Sequence, residues 1–137
     1  FSGKITSREE MKKHYARADL FTFPSLYDAS SLVQIEAASQ KTPALLLRGA
    51  RTACTVTDGV DGYLSEADID AYAEKIREIF AGPERHARIS DAAQRDLAVS
   101  WEKTVGESYA LYRRLTEEAG RPVLTPTPEK IHETGTV

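Results

Sequence analysis

The chain has 137 residues, 41% hydrophobic and 28% charged, an ordinary balance for one soluble domain with room for a core. Its net charge of −3 argues against a nucleic-acid partner, which demands a basic face. A single cysteine, Cys54, excludes an internal disulfide and favours a reducing compartment, and apolar runs such as Ala44-Leu45-Leu46-Leu47 are too short to span a bilayer.

No basic-then-apolar leader opens the chain, and residues 1–5 read as a strand entered part-way, as in a piece of something longer. Ser7-Arg8-Glu9-Glu10 has capping-box spacing and predicts a helix that turns Met11, Tyr15 and Ala18 to one side, with Lys12, Lys13 and Arg17 outward. Residues 20–23 predict a second strand, halted by Pro24, which has no amide to give a ladder. A loop over 25–30 leads to a helix over about 32–40, opened by a second box-like run, Ser31-Leu32-Val33-Gln34, and closed by Thr42-Pro43. Residues 44–47 predict a third strand, and 48–57 a polar loop beyond its carboxyl end.

Asp58-Gly59 and Asp61-Gly62 are turn signals, and Tyr63-Leu64 is a short strand between them and the next helix. Ile69, Tyr72, Ala73, Ile76, Ile79 and Phe80 then recur at helical spacing until Gly82-Pro83. A second helix covers about 84–98, and Ser100 caps a third that runs to about 119. Pro122, Pro126 and Pro128 among threonines predict an extended or disordered tail over 121–137. Short strands alternating with crossover helices make the chain α/β: a partial Rossmann-like parallel sheet with trailing helices.

The informative segment runs Phe23-Pro24-Ser25-Leu26-Tyr27-Asp28-Ala29-Ser30-Ser31-Leu32-Val33-Gln34-Ile35-Glu36. It is a strand end, a small-residue loop and a helix start, the place where ligands bind parallel sheets. The amides of Ser31, Leu32 and Val33 are orphan donors at the positive end of a helix, able to hold phosphate without a basic side chain. Asp28 precedes that end and Glu36 lies more than a turn inside it. A carboxylate accepts from two adjacent hydroxyls, so this pair suits a sugar.

Asp28, seven residues and Glu36, followed by Ala37-Ala38 and Thr42-Pro43, resembles the acid-x7-acid motif of retaining GT-B glycosyltransferases, most closely the large group 1 family. Four further landmarks resemble that family in its order: Phe1-Ser2-Gly3-Lys4-Ile5, Tyr15-Ala16-Arg17-Ala18-Asp19-Leu20-Phe21, Asp58-Gly59-Val60-Asp61-Gly62-Tyr63-Leu64 and Ser100-Trp101-Glu102. The resemblance implies that residues 1–120 are part of a C-terminal, donor-binding domain. By it Glu36 binds ribose, Asp28 binds the transferred sugar, Ser31, Leu32 and Val33 hold the diphosphate, and Gly3, Lys4 and Ile5 flank the base. The donor is then a UDP- or GDP-sugar, the acceptor a glycan or lipid, and neither cofactor nor metal is expected. The resemblance further implies a cytoplasmic parent, peripheral to the inner membrane face.

In such enzymes an Arg/Lys pair and a separate N-terminal acceptor domain complete the active site, and neither is in this sequence. No catalytic residue is therefore assigned here, and the isolated chain is expected to be inactive. Three departures stand out: Asp28 replaces a glutamate, Ser30-Ser31 replaces Phe-Gly, and Lys41 replaces the glycine before Thr-Pro. A nucleotide-sugar epimerase on the same scaffold, or a non-catalytic module, is the alternative.

Other conspicuous residues read as structural. Arg48 and Arg51 are taken as solvated loop charges, Cys54 as a packing residue and Trp101 as an interhelix anchor. His14, His86 and His132 lack ligand spacing. Glu74, Lys75, Glu78, Arg85 and Arg88 form solvent faces with local ion pairs. The apolar side of the last helix (Val105, Tyr109, Tyr112) is expected to lack its normal cover and to drive self-association.

Overall fold

The computed structural model describes residues 2–28 and 32–120. Phe1, Ala29, Ser30, Ser31 and the predicted tail over 121–137 lie outside the described residues. The chain divides into two compact units, Phe1–Val99 and Ser100–Val137.

In the first unit, strands β1 (Phe21–Phe23), β2 (Ala44–Leu47) and β3 (Tyr63–Ser65) form one parallel sheet in that order. Thr22 pairs with Leu45, and Leu45 with Tyr63. Helix α1 (Arg8–Arg17) precedes β1, and α2 (Leu32–Ser39) crosses from β1 to β2. Helices α3 (Ile69–Ala81) and α4 (Pro83–Leu97) follow β3.

Every residue of the central strand β2 is buried. Because successive strand side chains point to opposite faces, β2 builds two clusters. Ala44 and Leu46 pack with Phe21, Phe23 and Leu64 and with Ala50, Ala53 and Val56. Leu45 packs with Tyr63, Ile79 and Ile89, so α3 and α4 are held to the sheet. Leu45 and Leu46, each with no exposed surface, contribute about 1.5–3 kcal/mol apiece by leaving water.

Polar latches fix the helices. Tyr72 on α3 donates its hydroxyl to the Leu45 carbonyl at 2.9 Å. His86 on α4 joins the Tyr63 hydroxyl through Nδ1 and the Asp19 carbonyl through Nε2, both at 2.8 Å. With Nε2 as the donor to the carbonyl, Nδ1 is left to accept from Tyr63. Thr42, 1% exposed, donates to the Tyr15 carbonyl at 2.7 Å and ties the start of β2 to the end of α1.

Several expectations change. Residues 2–7 form no strand, since nothing among the described residues pairs with them; Gly3 turns there at φ 68° instead. The Ser7 half of the first capping box forms, Oγ accepting the Glu10 amide at 3.3 Å. Ala18 is not on the buried side of α1 but is its C-cap. Gln34 is 4% exposed and donates Nε2 to Thr55 Oγ1 at 2.9 Å, while Ser31, which opens the second box-like run, lies outside the described residues. The predicted loop over 48–57 contains a 3₁₀ helix, Arg51–Thr55.

In the second unit, α5 (Trp101–Glu118) starts where Ser100 Oγ accepts the Lys103 amide at 3.2 Å. It buries none of its residues, and Trp101, expected as an anchor, is 71% exposed. Among the described residues no helix is long and apolar enough to cross a membrane.

Candidate functional site

Parallel strands bring their carboxyl ends, Phe23, Leu47 and Ser65, to one edge. Residues 24–28 leave β1 at that edge, and α2 begins there. Leu32 and Val33, at the start of α2, are 61% and 37% exposed, so this turn opens to solvent. First-turn amides have no acceptor within a helix, so they offer donors and positive potential to an anion. Ser31, the first residue of the predicted diphosphate cradle, lies outside the described residues with Ser30. Asp28 is half-buried in the connection from β1.

Glu36 follows Leu32 by one helical turn, on the same side of α2. It is exposed and lines a groove of about 270 Å³ with Arg8, Met11, Lys12, Tyr15, Ser39 and Gln40. The floor is thus shared by α1 and α2. Burial raises the Tyr15 phenol above its ordinary pKa, and the Glu36 charge and a hydrogen bond to Glu36 push it the same way. Gly3 and Lys4 are exposed and Ile5 half-buried in the segment entering α1, and none of the three lines the groove. Sequence reasoning assigned Tyr15 to packing and Lys12 to solvent and gave Arg8 no role; the pairing of α1 with α2 places all three beside Glu36.

The turn beyond β2 is bound internally. Arg48 meets Asp58 at 3.0 Å and Glu66 at 2.9 Å, so it is a strut of the loop. Asp58 Oδ1 accepts the Leu64 amide at 3.0 Å, and Asp61 Oδ1, buried, accepts the Thr57 amide at 2.7 Å. Those two acids are committed to the turn. Cys54 is exposed, contrary to the packing role expected of it. Among the described residues no group of three His, Cys, Asp or Glu could hold a metal.

A larger groove, about 590 Å³, is lined by Asp19, Lys41, Phe80 and His86 among others. Asp19 and Lys41 precede β1 and β2, so it lies at the amino edge of the sheet, away from the end where parallel sheets take ligands. Size alone does not make it the functional site.

Residues 1–96 match the family model for group 1 glycosyl transferases. The chain belongs to the group 1 glycosyltransferases. It is 40% identical over 114 residues to a D-inositol 3-phosphate glycosyltransferase of Geodermatophilus obscurus, a match covering 80% of this chain and 24% of that protein. It is 29% identical over 112 residues to an MMP alpha-(1->4)-mannosyltransferase of Mycolicibacterium hassiacum, covering 79% and 27%. The chain therefore spans about a quarter of the length of the relatives it matches.

Among solved structures, sucrose-phosphate synthase from Thermosynechococcus elongatus superimposes with a TM-score of 0.75 at 27% identity, covering 86% of this chain and 30% of that one. Anabaena Alr3699/HepE, in its complex with UDP-glucose, gives 0.65 at 18%, covering 82% and 31%. These neighbours are GT-B glycosyltransferases, and the chain has their α/β architecture. Lys41, where the resemblance led to an expectation of glycine, has φ 64°, and is the one described residue other than glycine with positive φ.

Proposed function

We propose that this chain holds the nucleotide-diphosphate-sugar of a retaining glycosyltransferase whose intact form passes the sugar to a glycan or lipid. The observation that carries the reading is the open first turn of α2 at the carboxyl edge of the sheet, with Glu36 one turn further on in a groove. In this reading the amides of Ser31, Leu32 and Val33 take the diphosphate, Glu36 the ribose hydroxyls and Asp28 hydroxyls of the sugar. Gly3, Lys4 and Ile5 flank the base. The solved complexes of the Anabaena neighbour with UDP and with UDP-glucose support a donor of that class.

Transfer with retention places the acceptor on the face that the leaving phosphate departs from, and that phosphate helps to remove the acceptor's proton. Charge stabilisation and positioning are then the protein's share. This chain supplies the positioning of the donor; the cationic clamp and acceptor site belong to the rest of the parent. The isolated chain binds donor weakly and turns over none. No metal or cofactor enters, and the parent works in the cytoplasm. The relatives named above are transferases, which does not favour an epimerase.

NMR titration of the 137-residue chain with UDP-glucose and GDP-mannose tests the reading. Shifts are expected at Leu32, Val33 and Glu36, with none at Arg77 on the far side of α3. Silence at α2 with both donors would refute it and leave a non-catalytic module.

A further inference from the structure

Among the described residues that line the groove Glu36 is the one acid, and the reading above asks it to grip a diol. A glutamate side chain is among the costlier ones to order, and on an exposed helix face it samples many rotamers. Something must hold it. The groove places two cations, Arg8 and Lys12, and one phenol, Tyr15, beside it. Arg8 and Lys12 are exposed side chains on long flexible stems.

Tyr15 is different. Its ring stands edge-on to Phe21, centroids 6.0 Å apart at 84°, and Phe21 in turn stacks on Phe23. Its carbonyl accepts from the buried Thr42 at 2.7 Å. The phenol is therefore fixed at both ends, by the sheet through its ring and by β2 through its backbone. The Tyr15 side chain lines the same groove as Glu36, and the carboxylate beside it adds to burial in raising its pKa.

We infer that Tyr15 is a positioning residue: its hydroxyl, anchored by Phe21 and Thr42, holds the Glu36 carboxylate in one orientation in the α1–α2 groove, so that the remaining lone pairs face the two ribose hydroxyls of the donor. This rests on the donor reading for Glu36. A carboxylate has about four acceptor sites, and one phenol donor leaves enough for a vicinal diol.

The test compares UDP with 2′,3′-dideoxy-UDP, which lacks that diol, by NMR titration of the 137-residue chain. The wild-type chain prefers UDP, and Glu36→Gln loses most of that preference. Tyr15→Phe reduces the preference about three- to tenfold, the range for a typical intramolecular hydrogen bond, while its affinity for the dideoxy nucleotide stays unchanged. Weakening of both nucleotides alike in Tyr15→Phe would mean a packing role only and overturn the inference.

Full preference in Tyr15→Phe alongside loss in Glu36→Gln also overturns it and leaves the donor reading standing. If Glu36→Gln keeps the preference, or the wild-type chain has none, the ribose reading fails and this inference with it. A second measurement needs neither nucleotide nor a change at Tyr15. The Tyr15 ring resonance followed against pH titrates lower in Glu36→Gln than in wild type, and an unchanged midpoint refutes the contact.

Discussion

At residue 41 the backbone enters the left-handed region, φ 64°, to turn from α2 into β2. A side chain with a Cβ is strained there by about 1–2 kcal/mol, whereas glycine is not. Lys41 recovers part through its ion pair with Asp91 at 2.8 Å, but both partners are more than half exposed, and such pairs contribute little. Lys41→Gly is therefore expected to stabilise the chain by about 0.5 kcal/mol after the greater freedom of glycine in the unfolded state is counted. A denaturant midpoint shifted upward confirms it; a downward shift shows the ion pair to matter more than the strain.

Gly62 is the opposite case: a Cβ there meets Val56 Cγ1 at 2.7 Å and the Ala44 carbonyl at 3.1 Å. The carbonyl belongs to the central strand and cannot give way, so Gly62→Ala should cost about 1–3 kcal/mol by overpacking, read as a lower midpoint. The acids divide by the same local logic. Asp58 and Asp61 spend their oxygens on backbone amides of one turn, while Glu36 presents its carboxylate to a groove.

Among the elements, α3 is fixed by a phenol pointed at the sheet. Burial pushes the Tyr72 phenol from 10.0 up to about 12, against a smaller lowering by the Phe23 amide. The unfolded chain releases that proton near pH 10 and the folded chain only near 12. The contribution of Tyr72 is thus whole below pH 10 and is lost as pH rises from 10 through about 12. Tyr15 and Tyr63 shift in the same direction and steepen the fall. Tyr72→Phe should flatten the alkaline limb of a stability–pH curve measured by urea unfolding; an unchanged limb would remove Tyr72 as its cause.

The positions of α3 and α5 were legible in the sequence because their signals are local: apolar spacing, a cap such as Ser100, a breaker such as Gly82-Pro83. The strand β2 was legible as a continuous apolar run bounded by Pro43 and Gly49. What escaped depends on distant partners. Gln34 reaches Thr55, His86 reaches Asp19 across 67 positions, and the Tyr15–Glu36 groove exists only once α1 lies against α2. The strand expected over 1–5 is absent from described residues 2–5 because a short segment becomes a strand only when something pairs with it.

For the molecule as a whole, the second unit raises a separate energetic question. An 18-residue helix is marginal in water on propensity alone, and most helical stability comes from packing an apolar face. The ion pairs Lys103–Glu107, Arg113–Glu117 and Arg114–Glu118 add only about 0.2–0.5 kcal/mol each. Yet Trp101, Val105, Tyr109 and Tyr112, spaced four, four and three apart along α5, are 71%, 60%, 41% and 68% exposed. Four large apolar side chains at that spacing form a stripe that gains by leaving water, and a second copy of the same helix supplies a matching one. The chain is therefore expected to self-associate through α5. Sedimentation velocity over a wide concentration range should show a dimer that dissociates on dilution, and Val105→Glu with Tyr109→Glu should leave a monomer of unchanged sheet stability. A wild-type chain that sediments as a monomer throughout would show that this stripe finds no partner in its own kind.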